Sequence, residues 1–304
     1  MATQNNLSGY LGSTSSTPTR SVVRNTHFRP NIILLYATLI VLAIIFMFPF
    51  FWTVSSSLKA PFELMTFPPT WFPATPQWHN YARVIEKVPF IQWAWNSVFV
   101  VTIATLGSVI SASIVAYSFA RFEYPGRDGI FIITLATMML PAQVTLIPQF
   151  ILFNKLGWIN TLFPLWVPYL FGGGAFNIFL LRQFIRTLPR ELDEAALIDG
   201  ASYWRIFWSI LTPLSKPALA TVAVISFIAH WNDFVNPLIY LNSPENFTLA
   251  LGLNYFKSVP ESSGLPLEHL LMAASVMVIA PVLVLFFAAQ RYFVEGIVLS
   301  GMKG

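Results

Sequence analysis

The sequence predicts an all-α membrane protein with six transmembrane helices, and three observations carry that expectation. Of its 304 residues, 56% are hydrophobic and 10% are charged, whereas soluble domains carry about 25% charged residues. Six charge-poor runs each reach the roughly 20 apolar residues needed to cross a bilayer. Lys and Arg are also distributed unevenly between the segments that join those runs. Each span must be helical, because lipid offers no partner to an open backbone N–H or C=O. The 28 Phe and 10 Trp suit lipid contact and interfacial belts.

Residues 1–29 are polar, rich in Ser, Thr and Asn, and basic at Arg20, Arg24 and Arg29, so they read as a disordered cytoplasmic tail. The run 31–58 has no small-x-small cleavage site and exceeds a signal-peptide core, so it reads as a retained first span. The loop 59–87 holds Pro61, Pro68, Pro69, Pro73, Pro76, Trp71 and Trp78, and is expected to lie along the outer interface. The second span is expected at 88–120, the third at 129–154 and the fourth at 156–181. The fifth runs from 217 to about 241, with Asp233 inside it, and the last covers 269–290. Pro141, Pro148, Pro164, Pro168, Pro237 and Pro281 fall within these runs and are expected to act as kinks.

With the N-terminus inside, twelve Lys and Arg lie on the cytoplasmic side, Arg121, Arg127, Arg182, Arg186, Arg190 and Arg205 among them. Five lie outside: Lys59, Arg83, Lys87, Lys155 and Lys257. The bias places both termini in the cytoplasm. It also accounts for the net charge of +4 without nucleic-acid binding. No cysteine is present, which excludes disulfides, a thiol nucleophile and Cys-ligated metal.

The segment 182–216 breaks the apolar pattern, holding nine charged residues in 35 positions. Pro189 and the acidic Glu191, Asp193 and Glu194 suit the start of a short helix over 192–197. Gly200 stands where a left-handed stop is expected. A second helix over 203–211 should end before Pro213. From spacing alone, this unit is either a docking surface with a small-residue ridge or an amphipathic elbow lying on the membrane.

EAALIDG, with Ile210 and Pro213 downstream, resembles the Glu-Ala-Ala loop of permease subunits in bacterial ATP-driven (ABC) importers. Thr212 stands where that family usually has Leu. SFARFEYPGRD, TLIPQFILFNKLGWINT, FLLRQFIRTLPRELDEAALIDGAS, TPLSKPALA, WNDFVNPLIYL and RYFVEGIVLSGMKG extend the resemblance from 31 to 304. They are similar to the carbohydrate branch, and within it to the maltose-type second permease. The resemblance implies a type I importer transmembrane domain over 30–304, with a coupling loop at 182–216 and a cytoplasmic tail at 291–304. It implies that Glu194, Ala195, Ala196, Asp199 and Gly200 form the coupling site for an ATPase, with Glu194 as polar contact and Ala195 and Ala196 as the close-packing face. The tail would reach the ATPases through Gly301, Lys303 and Gly304. Implied partners are a homologous second permease, two ABC ATPase subunits, an extracytoplasmic solute-binding protein and a sugar, at a bacterial inner membrane.

ATP binding by the chain itself is excluded, because no Gly-Lys pair exists for a phosphate loop. ATP and Mg²⁺ would therefore belong to the partners, and the chain is not expected to be an enzyme. Gly172–Gly174 reads instead as a close-packing or bending point, a broken helix lining the path. His27, His79, His230 and His269 are scattered, so no metal site is expected. Gln143, Gln149, Asn177, Trp231, Asn232 and Asp233 are candidates for the pathway or a gate. The rival reading is a self-contained proton- or ion-coupled carrier using Asp233 and His230.

Overall fold

A computed structural model describes residues 30–258 and 267–301. Among them every regular element is helical. The chain separates into two units, Met1–Phe48 and Pro49–Gly304. Helix α1 (Pro30–Ser57) crosses that division with Pro49 inside it, and its side chains from Leu34 to Phe48 are exposed.

In the second unit, a 3₁₀ turn at Pro61–Met65 leads to α2 (His79–Lys87) and then to α3 (Phe90–Arg121). α3 is the spine of this unit. Ala104, Ser108, Ala112, Ala116 and Ala120 recur every four residues along it, and all are buried. Such a small-residue ridge lets neighbouring backbones approach closely in a membrane. The helices packed most extensively on α3 are α7 (Ala175–Thr187) and α11 (Lys216–Trp231).

Between α3 and α7 come α4 (Arg127–Ala136), α5 (Ala142–Lys155) and α6 (Phe163–Trp166). After α7 follow α8 (Glu191–Ile198), α9 (Tyr203–Ile206), a π turn over Phe207–Leu211 that joins α9 to α10 (Thr212–Leu214), and α11. The chain continues through α12 (Val235–Tyr240), α13 (Leu249–Ser258) and α14 (Glu268–Gly301). Four helical stretches are long and apolar enough to cross a membrane, and two bent pairs bring the number to as many as six among the described residues.

Several expected spans change shape. The third is not one kinked helix. It breaks between Met139 and Ala142 with a 98° bend, because Pro141 offers no N–H and pushes Leu140 to an extended ψ of 120°. The fourth starts at Phe163 rather than 156 and continues to Thr187. The residues before it turn, with positive φ at Gly157 and Asn160. The fifth stops at Trp231, and α12 resumes after Asn232–Phe234. At its other end it meets the 203–214 stretch at a 79° bend, so the second elbow helix runs past Pro213 to Leu214. Pro213 sits in the first turn of α10, where its missing N–H costs nothing. The last span, Glu268–Ala288, agrees with the expected 269–290, and its helix continues through Gly301. The proposed disordered tail 1–29 lies outside the described residues.

Candidate functional site: a charged elbow and a polar cavity

The elbow is built by capping. Asp193 N and Glu194 N donate to Arg190 O at 2.9 and 3.1 Å, opening α8. At its end Gly200 N donates to Leu197 O (3.0 Å) and Ala201 N to Ala196 O (2.9 Å). These two bonds form a Schellman motif, and its left-handed position is Gly200 at φ +79°. Ser202 then opens α9 by accepting from Arg205 N at 3.3 Å. The whole turn is therefore set by local chemistry.

Burial sorts the elbow's residues. Ala196 is buried in the same core as Tyr117, Ile206 and Phe207. It packs into its own chain. A helix this short buries one side, and Ala196 and Ala195 point about 100° apart. Glu194, Ala195, Asp199 and Gly200 are exposed. Ile198 beside them is 86% exposed, an apolar knob in a charged surface.

Two residues missed by sequence reasoning brace the elbow. Arg121 Nε, at the end of α3, stands 2.7 Å from Asp193 Oδ2. Arg121 Nη2 also donates to Leu188 O at 3.1 Å, and Tyr117 Oη donates to Tyr203 O at 3.4 Å. A hollow of about 360 Å³ lies between these groups, lined also by Glu123, Arg190 and Glu194. Burial raises the Asp193 carboxyl above its usual range, although Arg121 opposes the shift. Nearby, Arg182 packs 4.0 Å over the Phe131 ring and 3.9 Å from Asp128. Arg121 and Arg190 thus line one hollow beside Asp193, and Arg127 and Arg182 meet at Asp128.

The candidate pathway residues divide. Asn177 and Asp233 line a cavity of about 340 Å³ together with Ser108, Tyr169, Ser226, His230 and Asn236. Asn177 Nδ2 donates to Gly173 O (2.8 Å) and to Ser226 Oγ (3.2 Å). Gln149 lines a neighbouring cavity of about 460 Å³ with Phe153, Trp158 and Tyr240. Gln143 is exposed and lines neither. Asn232 turns back to donate to Ile228 O at 2.9 Å, closing α11. Trp231 does not face the path. It is buried, stacks on Phe227 at 5.5 Å and donates to Val278 O. An indole this large fills a core when its N–H finds a partner.

Asp233 is itself a helix cap: Oδ1 accepts from Asn236 N (3.2 Å) and Oδ2 from Asn236 Nδ2 (2.8 Å). The three glycines break the fourth span as expected, with φ of +91°, +64° and +89° at Gly172, Gly173 and Gly174. At Gly173 a Cβ would collide with Ser108 O and lie 2.7 Å from Ala112 N, so the chain meets α3 there backbone to backbone. Of the tail residues, Gly301 ends α14, while Lys303 and Gly304 lie outside the described residues. No His/Asp/Glu cluster fit to hold a metal occurs among the described residues.

The unit is thus helical and of membrane type, with a capped, charged elbow at one end and a polar recess between its helices. The chain belongs to the binding-protein-dependent transport system inner membrane component family, whose model matches residues 108–298. It is therefore a permease subunit of an ABC importer, a transporter component and not an enzyme. It is 33% identical over 267 residues to the arabinooligosaccharides transport system permease protein AraQ of Halalkalibacterium halodurans, covering 86% of this chain and 93% of that one. It is 34% identical over 275 residues to the trehalose/maltose transport system permease protein MalG of Thermococcus litoralis, covering 90% and 97%. Among solved structures, a chain of a bacterial ABC transporter involved in the import of the acidic polysaccharide alginate matches with TM-score 0.78 at 26% identity, over 87% of this chain and 97% of that chain.

Proposed function

We propose that this chain is one of two homologous, non-identical permeases that together form a sugar path through a bacterial inner membrane, with both termini inside. A solute-binding protein delivers the sugar from outside. Two ATPase subunits, which bind ATP and Mg²⁺, dock at the elbows and drive the cycle. The sugars in the names of the relatives support the cargo class. The observation that carries the coupling role is the elbow itself. Exposed Glu194, Ala195 and Ile198 form its outer face, and the Arg121–Asp193 pair joins its inner face to α3. α3 contributes Ser108 to the polar cavity, so one rigid element connects elbow and cavity.

The ion-coupled carrier finds less support. Asp233 has both oxygens engaged with Asn236, as a structural cap has. The test is affinity purification in mild detergent, identification of co-purifying chains, and a sugar screen on ATPase turnover in liposomes. Co-purified ATPases and sugar-stimulated turnover are expected. Sugar uptake by the isolated chain, governed by pH and lost in Asp233→Asn, would overturn the proposal.

A further inference from the structure

We propose that the path through this chain is built for neutral sugars and turns away anionic ones, with Tyr169 as the ring against which a sugar face rests. This builds on the sugar-importer reading and names its cargo class. The two cavities of about 460 and 340 Å³ adjoin, since Tyr169 and Asn236 line both. The Tyr169 ring meets the His230 ring edge-on, at 4.2 Å between centroids and 64° between planes. Tyr169 rides on the 3₁₀ turn Val167–Leu170, just before the left-handed glycines. The larger cavity adds Trp158 and Tyr240, and the smaller adds Asn177 and Asp233. A sugar ring has an apolar C–H face and a rim of hydroxyls, and aromatic walls with amide and carboxylate groups complement both.

Charge decides the class. No Lys or Arg lines either cavity. Asp233 takes its hydrogen bonds from Asn236, whose donors are neutral. A carboxylate with free lone pairs accepts from hydroxyls and repels a uronate.

The experiment uses the whole complex in nanodiscs, held in the ATP-bound state, with sugars added directly at millimolar concentration so that the binding protein does not filter them. The chain has no cysteine, so Gln149→Cys introduces its sole thiol on the wall of the larger cavity and leaves the Tyr169 ring in place. Labelling of that thiol by a small methanethiosulfonate is compared with labelling of the complex carrying the unsubstituted chain. Maltotriose, arabinotriose and galactobiose are the neutral probes, and trigalacturonate is the anionic one. At least one neutral probe is expected to slow labelling about tenfold, while trigalacturonate leaves it unchanged. Adding Asp233→Asn should let trigalacturonate protect as well. Equal protection by trigalacturonate without that change, or no protection by a sugar the complex carries, overturns the proposal. If Gln149→Cys does not assemble, Ser226→Cys gives the same readout from the smaller cavity, and Tyr169→Ala added to either should remove the protection by neutral sugars. If no sugar of either charge stimulates ATP turnover in the intact complex, the sugar-importer reading fails, a result distinct from failure of the charge rule.

Discussion

Arg121 and Asp193 lie 72 positions apart, yet Arg121 Nε stands 2.7 Å from Asp193 Oδ2, with 5% and 15% of their side chains exposed. The pair fastens the end of α3 to the first turn of α8. Breaking one partner of a buried pair leaves the other charge uncompensated. Arg121→Ala is therefore expected to cost about 2 kcal/mol, less than for a fully buried pair because both groups retain some water. In the purified complex, sugar-stimulated ATP turnover should fall more than basal turnover, as the elbow loses its hold on α3. Unchanged stimulation would remove the brace from the coupling route.

Asp193 also gives a pH prediction. Its folded carboxyl is raised by burial, so the folded chain holds a proton that the unfolded chain releases. The resulting stabilisation is present below the ordinary carboxylate pKa of about 3.9 and is lost as pH rises through the raised value. Asp193→Asn cannot titrate. The melting temperature of wild type minus that of Asp193→Asn should therefore decline as pH rises through that window, and a flat difference would contradict the assignment.

Gly200 and Gly173 should respond differently to alanine. A Cβ at Gly200 meets nothing within 4 Å, so only the backbone at φ +79° resists it. The cost should be about 1–2 kcal/mol, with Asn tolerated better than Ala. At Gly173 the same left-handed backbone is combined with collision against Ser108 O and the α3 backbone. Overpacking adds about 1–3 kcal/mol. Thermal unfolding in detergent should rank Gly173→Ala well below Gly200→Ala, with Gly172→Ala near the latter because its Cβ also meets open space.

Ile198, 86% exposed, contributes little to the chain's own core. Ile198→Asp is expected to leave membrane insertion and melting temperature unchanged while ATPase subunits no longer co-purify. Retention of a full complement of ATPase would show that the knob is not part of the docking face.

Local chemistry was legible before the fold was known. The left-handed stop at Gly200, the acidic start of α8 and the break at Gly172–Gly174 each follow from residue type and position within a few residues of chain. The ridge at Ala104, Ser108, Ala112, Ala116 and Ala120 was available as a four-residue period and went unread. Other features had no local signal. Trp231 and Asp233 look alike as polar-tipped residues near the end of a span, yet one fills a core against Phe227 and Val278 and the other caps α12 over a cavity.

The sequence by itself determined the solvent this chain lives in, its helical composition, where its elbow turns and that it carries no phosphate loop. These depend on composition, on backbone hydrogen bonding in lipid and on glycine and proline geometry, all of which act over short range. Only the tertiary structure decided that Ala196 packs inward while Ile198 stands out, that Arg121 holds Asp193, and that Tyr169 and Asn236 line two cavities at once. Those relations depend on which helices pack against one another, and no single stretch of chain encodes that.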